Sequence, residues 1–276
     1  MQAGVSDAGV DSRRLFSFLT GMSDTDIVVR GREERPEQAA GYIDLIERRA
    51  SGIPLQYITH EQEFMGLPFY VDERVLIPRM DTEILVEEAL KQIDRTLIHR
   101  AKPLDVLDLC CGSGAIGIAV AVLAKDNVKV TCSDISGDAL EVAKINAEKN
   151  GADIEFVQGD MLEPFMRTRE FGMILCNPPY IRSGVIPTLM KEVRAHEPYN
   201  ALDGGRDGLE FYRRLAKDAP KTLKHGCAVL MEIGCDQKDD VARIFKEDGR
   251  YFDAECIKDL AGLDRVMVVQ YRWPER

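Results

Sequence analysis

Several features that mark specialised protein classes are scarce or missing in this sequence. Basic residues are outnumbered, 36 Lys and Arg against 47 Asp and Glu, leaving a formal net charge of −11. Residues 1–80 and the remainder are both net acidic, so neither end is a basic arm. Such a molecule repels a polyanionic duplex on average, and direct nucleic-acid binding is not expected. No stretch reaches the ~18 consecutive apolar residues of a membrane span, so no membrane partner is expected. The opening Met-Gln-Ala-Gly-Val-Ser-Asp has neither the basic-then-apolar pattern of a secretory signal nor the Arg-rich look of a transit peptide; the expected location is cytoplasmic. The seven cysteines, at 110, 111, 132, 176, 227, 235 and 256, are odd in number and form no Cys-x-x-Cys pair. They read as structural thiols, with neither a metal site nor a disulfide framework implied. The single tryptophan, Trp273, reads as cover for a sheet edge.

What is present is an ordinary globular composition. The 276 residues are 45% hydrophobic and 30% charged, enough for one large domain with a small companion. The first part reads helical. Leu15, Phe16, Phe18 and Leu19 lie in one candidate helix from Asp11 to Thr20, and Ala39, Tyr42, Ile43 and Ile46 recur at helical spacing after Pro36. Short helices with one apolar face need a neighbour to be stable. From Phe64 the pattern changes to strand-like pieces broken by Gly66, Pro68 and Pro78, as in a hairpin joining two units. The expected organisation is a helical unit over 1–61, a hairpin linker over 62–80 and an α/β domain over 81–276.

Beyond residue 103, apolar strands alternate with helices. Strands are expected at Leu104–Cys111, Val128–Ile135, Ile154–Val157, Met173–Cys176 and Ala228–Ile233, with two more near Tyr251–Ile257 and Arg265–Tyr271. Helices are expected at Ala115–Ala124, Asp138–Asn150, Leu209–Leu223 and Gln237–Phe245. This alternation predicts a mostly parallel sheet covered on both faces, with ligands at the carboxyl ends of the strands.

Three of those ends carry candidate chemistry. The first strand runs through Asp108 into Cys110, Cys111, Gly112, Ser113 and Gly114, with Gly117 on the next helix. A glycine turn lets backbone approach a ligand, and the helix N-terminus beyond offers free N–H groups. Asp134 ends the next strand, where a carboxylate can bind two ribose hydroxyls. A dinucleotide site looks much the same. Asp108 favours a cationic ligand, S-adenosylmethionine, over a pyrophosphate, because two anions repel. After the third strand, Asp160 can accept from an adenine amine while Met161 covers the ring.

The most specific element is Asn177-Pro178-Pro179-Tyr180, directly after an apolar strand. Two prolines cannot continue a ladder, so the Asn177 side-chain carbonyl and the Pro178 backbone carbonyl become free acceptors in a rigid loop. Two acceptors gripping an NH₂ group draw its nitrogen lone pair out of conjugation and aim it, while Tyr180 packs on the planar face. Such a loop suits methylation of an amide or amino nitrogen and needs no strong base. His196 and Glu197 read as structural, and Glu87, Glu88 and the charges from Asp236 to Asp240 as solvated helix faces.

With these residues in view, the sequence resembles the HemK/PrmC family of protein-(glutamine-N5) methyltransferases, which modify the glutamine of the Gly-Gly-Gln motif in class-1 peptide chain release factors. The match extends over roughly residues 45–270 and includes Pro54-Leu55-Gln56-Tyr57-Ile58, Leu76 to Glu83 (Leu-Ile-Pro-Arg-Met-Asp-Thr-Glu), Asp134-Ile135-Ser136, Asn177 to Tyr180, and Glu197-Pro198 running to Gly204-Gly205-Arg206-Asp207-Gly208-Leu209. Asn-Pro-Pro-Tyr is shared with adenine and guanine amino-methyltransferases; the Ile-Pro-Arg-x-Asp-Thr-Glu and Gly-Gly-x-Asp-Gly-Leu segments single out the glutamine enzymes. The resemblance implies a seven-stranded, Rossmann-like class I methyltransferase domain joined by a β-hairpin to a small helical N-terminal domain that helps recognise the substrate. It implies that Cys110 to Gly114 and Asp134 bind S-adenosylmethionine, that Met161 flanks its adenine, and that Asn177, Pro178, Pro179 and Tyr180 grip the glutamine amide, with S-adenosylhomocysteine as product and release factors as partners. Three departures stand out: Cys110 and Cys111 replace the usual Gly and Thr, Met80 replaces a proline, and the N-terminal helical region is expected to begin late, without a first helix. A residue with a Cβ at 110 predicts ordinary backbone angles there. The rival readings are amino-methylation of DNA or RNA, a cofactor-binding regulator without turnover, and a nicotinamide-dependent oxidoreductase, in which the Asn-Pro-Pro-Tyr loop has no role.

Overall fold

The computed structural model describes residues 7–30, 35–97, 103–166 and 168–272. Trp273 lies outside them. The chain begins with α1 (Ala8–Thr20), α2 (Asp24–Arg30), α3 (Ala39–Ala50) and α4 (Leu55–Thr59). Leu15, Leu45, Leu55 and Ile58 form the small core of this unit. Period 3.6 places Asp11, Leu15 and Leu19 on one stripe of α1 and leaves Phe18 half-exposed. In α3 the same geometry buries Leu45 and turns Ile43 outward, contrary to the expected stripe.

The strands β1 (Gln62–Phe64) and β2 (Leu67–Phe69) pair antiparallel around Met65 and Gly66, both at positive φ. The chain after this hairpin packs Val71, Val75 and Ile77 against Tyr57 and against Ala139 and Val142, so the linker is embedded rather than loose. The helix α5 (Met80–Leu97) follows. Glu87 on it is exposed, but Glu88 is buried, accepting from Gln92 Nε2 at 2.9 Å, which corrects the expectation that both are solvated.

The large sheet is built from β3 (Leu104–Leu109), β4 (Val128–Asp134), β5 (Ile154–Gln158), β6 (Phe171–Cys176), β7 (Leu223–Glu232), β8 (Tyr251–Lys258) and β9 (Asp264–Tyr271). Their spatial order is β5-β4-β3-β6-β7-β9-β8, parallel from β5 to β7 and antiparallel for the last two pairings. The order reverses between β3 and β6, which creates a crevice outside their carboxyl ends. The helices are α6 (Ala115–Ala124), α7 (Gly137–Asn150), α8 (Lys191–His196), α9 (Tyr199–Leu202), α10 (Glu210–Asp218) and α11 (Lys238–Asp248). Alternating side chains feed two cores: Val106, Val130 and Leu175 meet α5 and α6 on one face, and Leu107, Ile174 and Val229 meet α10 and α11 on the other.

Several element ends differ from the sequence reading by one to three residues, and two differ by five. The helix expected to reach Leu223 ends at Asp218, because Pro220 cannot continue the hydrogen-bond ladder and the chain tightens into a 3₁₀ turn at Ala219–Lys221. β7 accordingly starts at Leu223, five residues before its expected apolar run.

Candidate active site

Asp108 fixes the turn after β3 from beneath. Its side chain is fully buried; Oδ2 accepts from the Gly117 N–H at 2.8 Å and from the Cys132 thiol at 3.8 Å, while Oδ1 has no partner among the described residues. Burial, with Asp134 nearby, pushes its pKa up to about 7. A Cβ on Gly117 would stand 2.6 Å from the Cys132 sulfur and 2.9 Å from Asp108 Oδ2, so glycine is what lets α6 approach the sheet. Asp108 therefore supports the turn from behind and is not among the residues that line the crevice.

The turn is left-handed at Cys110, Gly112 and Gly114, with φ of 59°, 52° and 77°. Cys110 thus departs from the ordinary angles expected of it, because the chain must reverse between β3 and α6 while the Cys111 N–H still donates to Ser133 O at 3.0 Å. A left-handed residue with a Cβ costs roughly 1–2 kcal/mol, which the tethered turn absorbs. Cys110 and Gly112 line the crevice, whereas Cys111, Ser113 and Gly114 are not part of its lining. No disulfide joins any of the seven cysteines, all of which are described, and no cluster of metal-ligating side chains is found among the described residues.

Asp134 closes the turn from β4. Its Oδ2 accepts from Gly112 N–H and its Oδ1 from Ser136 N–H, both at 2.9 Å. Ser136 also caps α7, accepting from Ala139 N–H. Burial raises the Asp134 pKa against these bonds. Asn146 of α7 went unnoticed in the sequence: buried, it accepts from Tyr70 N–H at 2.6 Å and donates to Tyr70 O and Ser113 O, tying the linker to the turn.

A cavity of about 230 Å³ opens at these strand ends, lined in part by Cys110, Gly112, Asp134, Asp160, Met161 and Asn177. Its two arginines are already committed, Arg74 to Asp72 at 2.5 Å and Arg214 to Asp160 at 2.7 Å. Neither is left to bind a pyrophosphate. At Gly112 the space where a Cβ would stand is open, so a ligand can reach the backbone.

A second cavity, of about 460 Å³, lies on the other side of Asn177 and is lined in part by Pro178, Tyr180, Gln56, Arg79, Glu197 and Glu232. Asn177 is on the wall of both cavities. Tyr180 donates from its hydroxyl to Glu232 Oε1 at 3.0 Å, and burial beside that carboxylate raises its pKa, so it stays a neutral phenol. Its backbone oxygen accepts from Gln237 Nε2 at 3.0 Å. Gly204 packs against the same loop, and its N–H donates to Ile181 O at 2.8 Å. Glu197, read as structural, is buried and ion-paired with Arg79, and burial raises its pKa. Sequence reasoning gave no role to Thr82, Glu232 or Gln237; of the three only Glu232 carried a signal, a carboxylate inside the apolar run Ala228–Ile233, whereas Thr82 and Gln237 stand among charged neighbours.

Sequence comparison bears directly on this arrangement. A release factor glutamine methyltransferase of Clostridium acetobutylicum is 43% identical over 263 residues, 94% of this chain and 90% of its own. One from Agrobacterium fabrum is 41% identical over 272 residues, 96% and 91% of the two chains. The chain belongs to the release factor glutamine methyltransferase family. The family models agree: a PrmC N-terminal domain matches residues 1–59 and a methyltransferase small domain matches residues 82–197. Among solved structures, a methyltransferase from Pyrococcus furiosus shares the fold at a TM-score of 0.52 and 19% identity, covering 85% of this chain and 98% of that one. Membership of this methyltransferase family implies use of S-adenosylmethionine. The first cavity fits it: an acceptor carboxylate, Asp134, at the end of β4, the apolar Met161 thioether on the wall, and no uncommitted cation among the described lining residues to oppose a sulfonium.

Proposed function

We propose that this family member transfers a methyl group from S-adenosylmethionine to the side-chain amide nitrogen of the glutamine in the Gly-Gly-Gln motif of class-1 release factors, acting in the cytoplasm. The observation that carries the reading is the position of Asn177 on the wall common to the two cavities, one suited to a nucleoside and one to a peptide side chain. In this reading residues 81–276 perform the transfer, while residues 1–61 and the linker 62–80 help hold the protein substrate. When bound, S-adenosylmethionine supplies a methyl group activated by its sulfonium.

The roles of the chain's own residues follow from their chemistry. Asp134 accepts from the ribose hydroxyls with the lone pairs that its two backbone donors leave free. Cys110, Gly112, Asp160 and Met161 shape the adenosine and methionine surfaces. Cys111, Ser113, Gly114 and Asp108 act behind them by holding the turn. Asn177 Oδ1 and Pro178 O accept the two hydrogens of the substrate carboxamide, which favours the tetrahedral, lone-pair-bearing nitrogen over the conjugated one. Pro179 keeps the loop extended, and the Tyr180 ring covers the amide plane. Tyr180 is committed to Glu232 and stays protonated, so it is no base; the surplus proton leaves to water after transfer.

Peptide mass spectrometry of release factor incubated with enzyme and S-adenosylmethionine tests this. A gain of about 14 Da, one methyl replacing one hydrogen, is expected on the Gly-Gly-Gln glutamine. Methyl label in nucleic acid, with none in release factor, would overturn the reading.

A further inference from the structure

Glu232 ends β7 as a carboxylate with 2% exposure, and the chemistry above uses it only to hold Tyr180. Its other oxygen, Oε2, accepts from Thr82 Oγ1 at 2.5 Å. Thr82, in the first turn of α5, in turn accepts from Asn177 Nδ2 at 3.4 Å. A threonine hydroxyl has one proton. With that proton directed at Glu232, only lone pairs are left to face Asn177, and a lone pair attracts an NH₂ group but repels a carbonyl oxygen. The Asn177 carboxamide therefore shows its nitrogen to Thr82 and its Oδ1 to the opposite side. The reverse orientation would aim one NH₂ group at another when a substrate carboxamide arrives.

We infer that Thr82 and Glu232 are positioning residues for methyl transfer: Glu232 fixes the Thr82 proton, and Thr82 fixes the face of Asn177 that meets the substrate amide. The inference rests on the reading of Asn177 as acceptor of that amide. It also gives the Ile-Pro-Arg-Met-Asp-Thr-Glu segment a task inside the site, since Thr82 is its sixth residue. Neither residue touches the reacting atoms; both act through Asn177 or Tyr180.

The test compares Thr82→Val, which keeps the shape and removes the hydroxyl, with Thr82→Ser, which keeps the hydroxyl. Each is made alone and together with Asn177→Asp, whose two like oxygens make orientation immaterial. With release factor as substrate, Thr82→Val should lower kcat about tenfold, the weight of roughly one net hydrogen bond, with KM and cofactor affinity within about twofold. Thr82→Ser should recover most of kcat. In the Asn177→Asp background, Thr82→Val should change kcat by less than about twofold, an outcome that general loss of structure would not give. Should Thr82→Val melt below the assay temperature, Glu232→Gln serves instead: its Nε2 donates to Thr82, which then turns its proton toward Asn177, and the same background dependence is expected.

Undiminished kcat in Thr82→Val, equal losses in Thr82→Val and Thr82→Ser, or equal losses in both Asn177 backgrounds would each overturn the inference. The side-chain NH₂ resonances of Asn177 in ¹⁵N-asparagine-labelled protein give the same answer without turnover. They should move in Thr82→Val and stay in place in Thr82→Ser; the absence of movement in Thr82→Val counts against the inference. An inactive wild type would contradict the functional assignment, whereas an active wild type indifferent to Thr82→Val contradicts this one.

Discussion

Arg49 in α3 donates to Glu192 in α8 at 2.8 Å, across 143 positions of the chain. The same guanidinium donates to Asp11 at 2.6 Å and to Ile53 O at 3.1 Å, and the neighbouring Lys191 ammonium donates to Ser51 O at 2.7 Å. The helical unit is thereby fastened to the segment whose Glu192, Val193 and Glu197 line the larger cavity. Arg49→Met leaves Asp11 buried and unpaired, so a loss of about 3 kcal/mol is expected. KM for release factor should rise more than the cofactor Kd. Glu192→Gln, at a partly exposed partner, should cost less than about 1 kcal/mol. Denaturant unfolding and steady-state kinetics measure both.

Asp108 predicts a pH dependence of stability. Its pKa is 3.8 in the ordinary state and about 7 when buried in the folded protein, so between those values the native state holds a proton that the unfolded state releases. More protons bound in the native state means stability falls as pH rises. The contribution is fully present below pH 3.8 and is lost as pH rises through about 7. Asp108→Asn, which cannot ionise, should flatten Tm across this window relative to wild type. A variant with the same slope as wild type would show that Asp108 does not carry the effect.

Gly204 explains part of the Gly-Gly-Arg-Asp-Gly-Leu segment. A Cβ there would stand 2.7 Å from Tyr180 Cα and 2.8 Å from Pro179 O, backbone against side chain with no flexible group to give way. Gly204→Ala must therefore displace the Asn177–Tyr180 loop. The expected result is a fall in kcat of about tenfold or more, in line with misplacement of reacting groups, while cofactor affinity is kept.

The parallel sheet was legible because its strands are continuous apolar runs, and the turn after β3 because three glycines and a following carboxylate recur at a readable spacing. The Asn177 loop was legible because two prolines after a buried strand have few other uses. What remained hidden is pairing at long range. Thr82 with Glu232, Arg49 with Glu192 and Asn146 with Tyr70 are each separated by many tens of residues, and each partner alone looks like an ordinary polar residue. Cys110 was misread because the conformation of a turn is set by the tether of its neighbours as well as by the residue's own preference.

Asn177 and Asp134 should separate by function. Asn177→Ala removes an oriented acceptor at the reacting nitrogen, so kcat should fall by about 10² while cofactor affinity holds. Asp134→Ala should weaken cofactor binding by about 2 kcal/mol, the weight of charge-assisted hydrogen bonds. It should also lower Tm, because the Gly112 and Ser136 N–H groups lose their acceptor. Titration calorimetry beside turnover measurements distinguishes the two patterns.

The most direct measurement is a crystal structure of the enzyme with S-adenosylhomocysteine and a peptide containing Gly-Gly-Gln. The glutamine amide nitrogen is expected between Asn177 Oδ1 and Pro178 O, turned toward the sulfur. An amide bound elsewhere, or a loop whose two oxygens face away from the sulfur, would contradict the account.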